Sequence, residues 1–216
     1  MARIAPNLIL IEENIIMKNN IPAELTKSIN SLAKLPGVGR VSAKRAVLHM
    51  LQDKTLIANL VESLKALDEN ITTCQVCGNI ATSDQCDICL SEERDSNILC
   101  VVEGVSQLWA MESAESFSGK YFVLNGLLNA LEGKGPDEIG ITKLIKLVQE
   151  NTISEVILAV SASVDGQTTT HVIAESLQTC HNVKVTSLAK GIPVGAGLDY
   201  MDSGTLFLAL KNRNSL

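Results

Sequence analysis

Cys74-Gln-Val-Cys77, an eight-residue spacer and Cys86-Asp-Ile-Cys89 decide how the middle of this chain folds. Two Cys-x-x-Cys knuckles gather four thiolates around one point, and four soft ligands suit the tetrahedral preference of Zn2+. The spacer, Gly78-Asn-Ile-Ala-Thr-Ser-Asp-Gln85, is short and polar. The segment therefore reads as a zinc ribbon with no core of its own, and metal binding supplies its folding energy. Two disulfides or a redox Cys-x-x-Cys form the competing reading, although the symmetric double knuckle is the usual zinc pattern. With every ligand position taken by a thiolate, the ion is structural rather than catalytic.

Six cysteines in a chain without a secretion signal point to a reducing, cytoplasmic setting. The N-terminal run Leu8-Ile-Leu-Ile11 is broken by Glu12 and Glu13, no small-residue cleavage site follows, and no later apolar run reaches membrane-spanning length. Cys100 lies within Ile98-Leu-Cys-Val-Val102 and reads as a packing residue. Cys180 stands beside His181 without a second ligand pair, and is taken as structural too. The 216 residues can bury a substantial core, and a 46% hydrophobic content with 3% aromatics favours helices and buried strands over a sandwich.

A net charge of −6 argues against a chain that coats nucleic acid everywhere, but the charge is uneven. Lys27, Lys34, Arg40, Lys44, Arg45 and Lys54 face a single acid, Asp53, in their stretch. The same stretch predicts a helix beginning near Pro22, with Leu25, Ile29, Leu32 and Leu35 on one face, and stopping at Pro36. Gly37 and Gly39 allow a tight turn, and a second helix restarts at Ser42 with Ala43, Ala46, Val47 and Met50 inward. A third helix carrying Leu56, Leu60, Leu64 and Leu67 is expected to close the bundle. Backbone N–H groups at the start of the second helix suit a DNA phosphate, with Arg40, Lys44 and Arg45 flanking it. The bland alternative is a helical hairpin with a solvated basic edge.

From Ile98 onward apolar runs alternate with amphipathic ones. Strands are predicted at 98–102, 121–124, 155–160 and 184–188, with helices near 106–115, 142–150 and 168–177, which implies a mostly parallel, doubly covered sheet. Ligands on such a sheet sit beyond the carboxyl ends of the strands, so Glu103, directly after the first, is the residue to test for chemistry. A lone Glu there is also a common charge partner of a helix start. The loops 125–140 and 190–197 are long enough to be functional surfaces. No Gly-x-x-x-x-Gly-Lys-Ser/Thr occurs, which speaks against ATP hydrolysis, and His49, His171 and His181 form no legible triad.

In this order of parts the chain resembles the bacterial recombination mediator family RecR. The resemblance rests on Leu35-Pro-Gly-Val-Gly39, the cysteines followed by Arg94-Asp95, Leu99-Cys-Val-Val-Glu103, Gly135-Pro-Asp-Glu-Ile-Gly140, and Lys190-Gly-Ile-Pro-Val-Gly195 leading to Leu198-Asp-Tyr-Met-Asp202. It implies an α+β multidomain chain: an extension at 1–20, a helix-hairpin-helix DNA-binding domain at 21–70, the zinc ribbon at 71–96, an α/β Toprim domain at 97–189, and a Walker-B-like segment with an oligomerisation helix at 190–216. It further implies a non-catalytic homo-oligomeric ring, a dimer or tetramer, that clamps DNA and works with RecO and RecF to place RecA on gapped DNA. The family's hairpin residues fall on Gly37, Gly39 and Arg45, while its usual Lys two places after the second glycine is Val41, leaving Arg40 or Lys44 to substitute. An expected Asp appears as Gln107, and a Glu-Gly-Glu that docks RecO appears as Asp165-Gly-Gln167. Met17 is a natural alternative start, which would make residues 1–16 either a disordered extension or an artefact of the assigned start.

Catalytic Toprim enzymes, topoisomerases and primases, pair the Glu with an Asp-x-Asp because Mg2+ needs hard oxygen ligands. Here that place holds Ser161-Ala162-Ser163. Asp165 could join Glu103 in weak Mg2+ binding, but two carboxylates without a nucleophilic tyrosine or an attacking base do not make a nuclease or topoisomerase. A zinc-stabilised protein adaptor is the remaining alternative, and it would not need the basic hairpin.

Overall fold

The apolar runs of the second half of the chain lie side by side in one parallel sheet. A computed structural model describes residues 21–180 and 182–213 and parts the chain into two units, one ending at Glu69 and one starting at Asn70. The proposed extension at 1–20 and His181 lie outside the described residues.

In the first unit, α1 (Ala23–Leu32) and α2 (Arg40–Gln52) close on Ile29, Ala43 and Val47, with Leu25, Leu32, Val38 and Met50 half-buried around them. Leu35 and Ala46, expected inward, are exposed. Proline disfavours the α conformation of its predecessor, so the helix unwinds ahead of Pro36, through turns in which the Lys34 and Leu35 N–H groups donate to Ser31 and Leu32. The next helix starts at Arg40, two residues before Ser42, because Gly39 takes the extended N-cap conformation. Asp53, the lone acid of the basic stretch, starts α3 (Lys54–Asn70) by accepting from the Thr55 and Leu56 N–H groups at 2.9 and 3.3 Å. That third helix closes nothing: it buries no residue, and Leu56, Leu60, Leu64 and Leu67 stay 37–59% exposed. Periodicity shows that a helix has an apolar face, not that its own chain covers it.

The second unit begins with the ribbon, a two-residue pair β1 (Thr72–Thr73) and β2 (Ile80–Ala81) followed by the single turn α4 (Asp87–Leu90). The sheet follows, built from β3 (Asp95–Val102), β4 (Gly119–Val123), β5 (Glu155–Ala159) and β6 (Lys184–Ser187) in the order β4-β3-β5-β6, every pairing parallel. Alternation sorts the side chains. Leu99, Val101, Phe122, Val156 and Leu158 face α6 (Ile141–Glu150) and α7 (Val164–Leu177), whereas Cys100, Val102, Tyr121 and Val123 face Leu108 on α5 (Val105–Ser113). Cys100 is fully buried and Cys180 packs half-buried against the larger core, as packing residues should. Burial alone pushes the Cys100 thiol up to about 11, which keeps it protonated and inert.

Helix α7 starts four residues before the predicted Thr168. Its N-cap, Ser163, accepts from the Gly166 N–H at 3.1 Å, a signal that the polar stretch Asp165-Gly-Gln-Thr-Thr-Thr170 hides from any periodicity. The chain ends in a 3-10 turn (Leu198–Tyr200) and α8 (Ser203–Lys211), whose N-cap Asp202 accepts from the N–H of Thr205 at 3.0 Å and from its hydroxyl at 2.6 Å. Those bonds, from the hydroxyl first, hold the exposed Asp202 carboxyl below its usual range.

Candidate functional site

Each Cys-x-x-Cys knuckle is a turn that points two sulfurs inward. The Cys74 N–H donates to the Asn79 carbonyl at 2.7 Å and the Gly78 N–H to that of Cys74 at 3.0 Å, while α4 carries Cys89 back toward Cys86. All four ligand atoms lie within 4.8 Å of one another, with Cys74–Cys89 at 3.8 Å and Cys77–Cys86 at 3.5 Å between sulfurs. Zinc–sulfur bonds of about 2.3 Å in a tetrahedron put sulfurs roughly 3.8 Å apart, so the donor set fits the ion. Backbone N–H groups of Asn79 and Cys86 reach the sulfurs of Cys77 and Cys74, each at 3.4 Å, and orient them. The electrostatics are uneven. Burial, which opposes ionisation of Cys74, is outweighed by backbone donors at Cys77, Cys86 and Val76, and its thiol falls to about 6. Hydrogen bonding to Cys89 and burial push Cys77 far above the thiol range, and burial raises Cys86. Cys77 and Cys86 thus resist ionisation until a divalent cation offsets the cost.

The ribbon is fastened to the edge of the sheet by residues that no motif announces. Val123 of β4 turns its free N–H to the Cys77 carbonyl at 2.7 Å. Gly78, at φ +79°, sits so close that an added Cβ would lie 2.8 Å from the Val123 carbonyl oxygen. Lys120 donates to the carbonyls of Ile88, Cys89 and Ser91 at 2.8, 3.1 and 2.6 Å, and Arg94 joins the Glu112 carboxylate and the Gly119 carbonyl, at 3.1 Å to the latter. The ribbon therefore covers an edge strand that would otherwise be free to pair. Its partners lie 18 to 46 residues apart in sequence, and only the pairing of Arg94 with the ribbon in the family resemblance hinted at them.

In the helical unit, Gly37 takes φ +75°, which permits the turn, and Gly39 caps α2 without any side-chain hydrogen bond. The first intrahelical bond of α2 runs from Ala43 to Gly39, leaving the N–H groups of the preceding residues pointing outward at the positive end of the helix dipole. Arg40, Lys44 and Arg45 are exposed on this helix, which has no acid in its first turn. Val41 is 69% exposed beside them, an apolar side chain where a cation would extend the basic surface.

At the carboxyl ends of the strands, Glu103 does structural duty. One carboxylate oxygen accepts from the Ser161 N–H and its carbonyl accepts from Gly126 at 3.2 Å, so it ties the ends of β3 and β5 to the loop after β4. The hydroxyls of Ser161 and Ser163 lie 2.9 Å apart, and Asp165 accepts instead from the Asn129 amide at 3.1 Å. Among the described residues, the four cysteines are the only group of three or more His, Cys, Asp or Glu side chains placed to share a metal. Gln107 accepts from the Ser106 hydroxyl at 2.9 Å, and Gln167 donates to the Ala162 carbonyl at 2.8 Å. Buried Thr169 accepts from the Leu128 N–H and donates to the Asp165 carbonyl, pinning the 125–140 loop to α7. The same loop and α7 line a cavity of about 560 Å3 that includes Asn129, Lys134 and Asp165.

Family models match the chain in sequence order: a RecR helix-hairpin-helix over residues 25–67, a RecR zinc finger domain of the four-cysteine type over 71–91, a Toprim domain over 97–189, and a RecR C-terminal model over 191–214. The chain is 45% identical over 194 residues to the recombination protein RecR of Maricaulis maris, covering 89% of this chain and 96% of that one. It is 47% identical over 196 residues to that of Ruegeria pomeroyi, covering 88% and 98%. The chain belongs to the RecR family. In this RecR-family chain the cysteine quartet is the four-cysteine zinc finger, and its zinc is structural because the four sulfurs leave no open coordination site. The α+β architecture, with its parallel Toprim sheet, is the one the sequence led us to expect. No helix of the described residues is long and apolar enough to cross a membrane.

Proposed function

We propose that this RecR-family chain is a non-catalytic DNA clamp that acts in recombinational repair with RecO and RecF to load RecA on gapped DNA. The observation that carries the reading is the N-terminus of α2, which has no side-chain cap and is flanked by Arg40, Lys44 and Arg45. Free N–H groups at a dipole terminus hold a phosphate and read no base, so little sequence preference follows. One hairpin touches too few phosphates to hold DNA alone, and multiplication in a homo-oligomeric ring supplies the rest. The bare leucine ridge of α3 supports such assembly, as do Phe207 and Leu210 of α8, at 65% and 67% exposure. We assign residues 21–70 to DNA binding, 71–96 to the ribbon, 97–189 to the Toprim domain and 190–216 to assembly, in a cytoplasmic protein.

A non-catalytic role is supported by Glu103 being held by a backbone N–H and by Asp165 being engaged elsewhere, where a phosphoryl-transfer site needs clustered carboxylates. Salt titration of DNA binding is the test. Wild-type affinity should fall steeply with salt, and the slope should flatten in an Arg40→Ala, Lys44→Ala, Arg45→Ala variant. Absence of binding would favour an adaptor instead, and Mg2+-dependent nicking lost in Glu103→Ala would favour an enzyme.

A further inference from the structure

The zinc ribbon buries a polar side chain that is not a metal ligand, Asn79. Burial alternates along Asn79, Ile80 and Ala81, inward, outward, inward, so the position just ahead of β2 lies on the side of Ala81 and the cysteines. An apolar side chain there would need no hydrogen bond. Asn79 is instead 6% exposed, and its Oδ1 is buried without a hydrogen-bond partner. Buried polar atoms are nearly always paired, so an amide left half unsatisfied points to a task for its other half.

That other half meets sulfur. The side-chain amide of Asn79 donates to the Cys86 sulfur of the second knuckle. Its main-chain N–H donates to Cys77 Sγ at 3.4 Å, and its carbonyl accepts from the Cys74 N–H at 2.7 Å. One residue therefore engages three of the four ligands, across both knuckles. A metal-bound thiolate can only accept, so the amide must present Nδ2–H to Cys86, and Oδ1 is then the atom that goes without a partner. We propose that the side chain of Asn79 is a positioning residue of the zinc site, donating to Cys86 while its main chain holds Cys74 and Cys77, and so fixing the second knuckle against the first. A donated hydrogen bond keeps the thiolate aimed at the ion and stabilises the sulfur lone pair.

Metal substitution in the full chain tests the assignment. With an NMR-active cadmium isotope in the site, scalar coupling through N–H···S bonds should link the metal to the side-chain amide protons of Asn79. The main-chain N–H groups of Asn79 and Cys86, which donate to Cys77 and Cys74, should couple as well and serve as the internal standard. Asn79→Asp keeps the shape but turns the donor into an acceptor, and Asn79→Leu fills the space with no polar atom. Each should weaken zinc binding about ten- to a hundredfold in competition with a chelator. In cobalt-loaded variants the thiolate-to-metal charge-transfer band should move to longer wavelength at the intensity of four thiolates, because the sulfur lone pair loses its stabilising donor. Wild-type hydrogen exchange in β3 to β6 should show that the sheet of each variant is folded. Coupling to the two main-chain amides without coupling to the Asn79 side chain would overturn the proposal. So would wild-type zinc affinity and band position in Asn79→Leu, since the side chain would then do no more than fill space.

Discussion

The zinc ribbon, about half the length of the helical unit, reaches order in the opposite way. In the ribbon, four sulfurs, a lysine bridging three carbonyls and a glycine pressed on a strand carbonyl leave little undetermined. The hairpin unit closes on three buried side chains and leaves a whole helix of leucines facing outward. A metal-built lobe is finished within one chain. The apolar-built unit leaves the leucine face of its third helix exposed among the described residues.

The largest test removes the ion. Cys74→Ser with Cys77→Ser should abolish zinc binding and unfold residues 71–91, with a loss of about 10 kcal/mol of metal-coupled folding energy, read by metal analysis and hydrogen exchange. The helical unit should keep its exchange pattern; if it unfolds too, the contrast between the regions is wrong. The Arg40, Lys44, Arg45 triple-alanine variant comes next. Three lost phosphate contacts should flatten the salt slope by about 2 to 3 and weaken binding roughly a hundredfold near physiological salt, measured by fluorescence anisotropy.

Gly78→Ala probes the fastening of the ribbon without touching a ligand. The added Cβ meets the Val123 carbonyl oxygen at 2.8 Å in a left-handed backbone, so stability should drop by about 2 kcal/mol in denaturant melts while the zinc stays bound. Lys120→Met should cost about 1 to 2 kcal/mol by leaving the carbonyls of Ile88, Cys89 and Ser91 without their shared donor. Smallest of all, Asp202→Ala removes the cap of α8 and should lower its helix stability by about 1 kcal/mol, visible as faster exchange at Thr205 and Leu206.

Much of this was legible beforehand where the signal is local. Apolar runs marked β3, β4 and β5, because a parallel sheet covered on both faces needs them, whereas β6 is the half-polar edge strand Lys184-Val-Thr-Ser187. Two knuckles marked the ion. The start of α7 was not legible, since Ser163 caps it and Gly166 lets it lie against the Ser161 carbonyl, where a Cβ would stand 2.3 Å away. Glu103 was singled out for its place after a strand, but its bond to the Ser161 N–H depends on β3 and β5 being neighbours, a pairing across 58 residues.

The amino-acid sequence by itself determined the ligand set, the helical and strand periods, and the concentration of positive charge around one glycine turn, because these depend on spacing along the chain. Only the tertiary structure decided that the ribbon shields β4, that the two Toprim carboxylates are engaged separately, and that the leucines of α3 go uncovered. Each of those depends on which distant segments meet, and a one-dimensional pattern specifies the face of an element without specifying what lies against it.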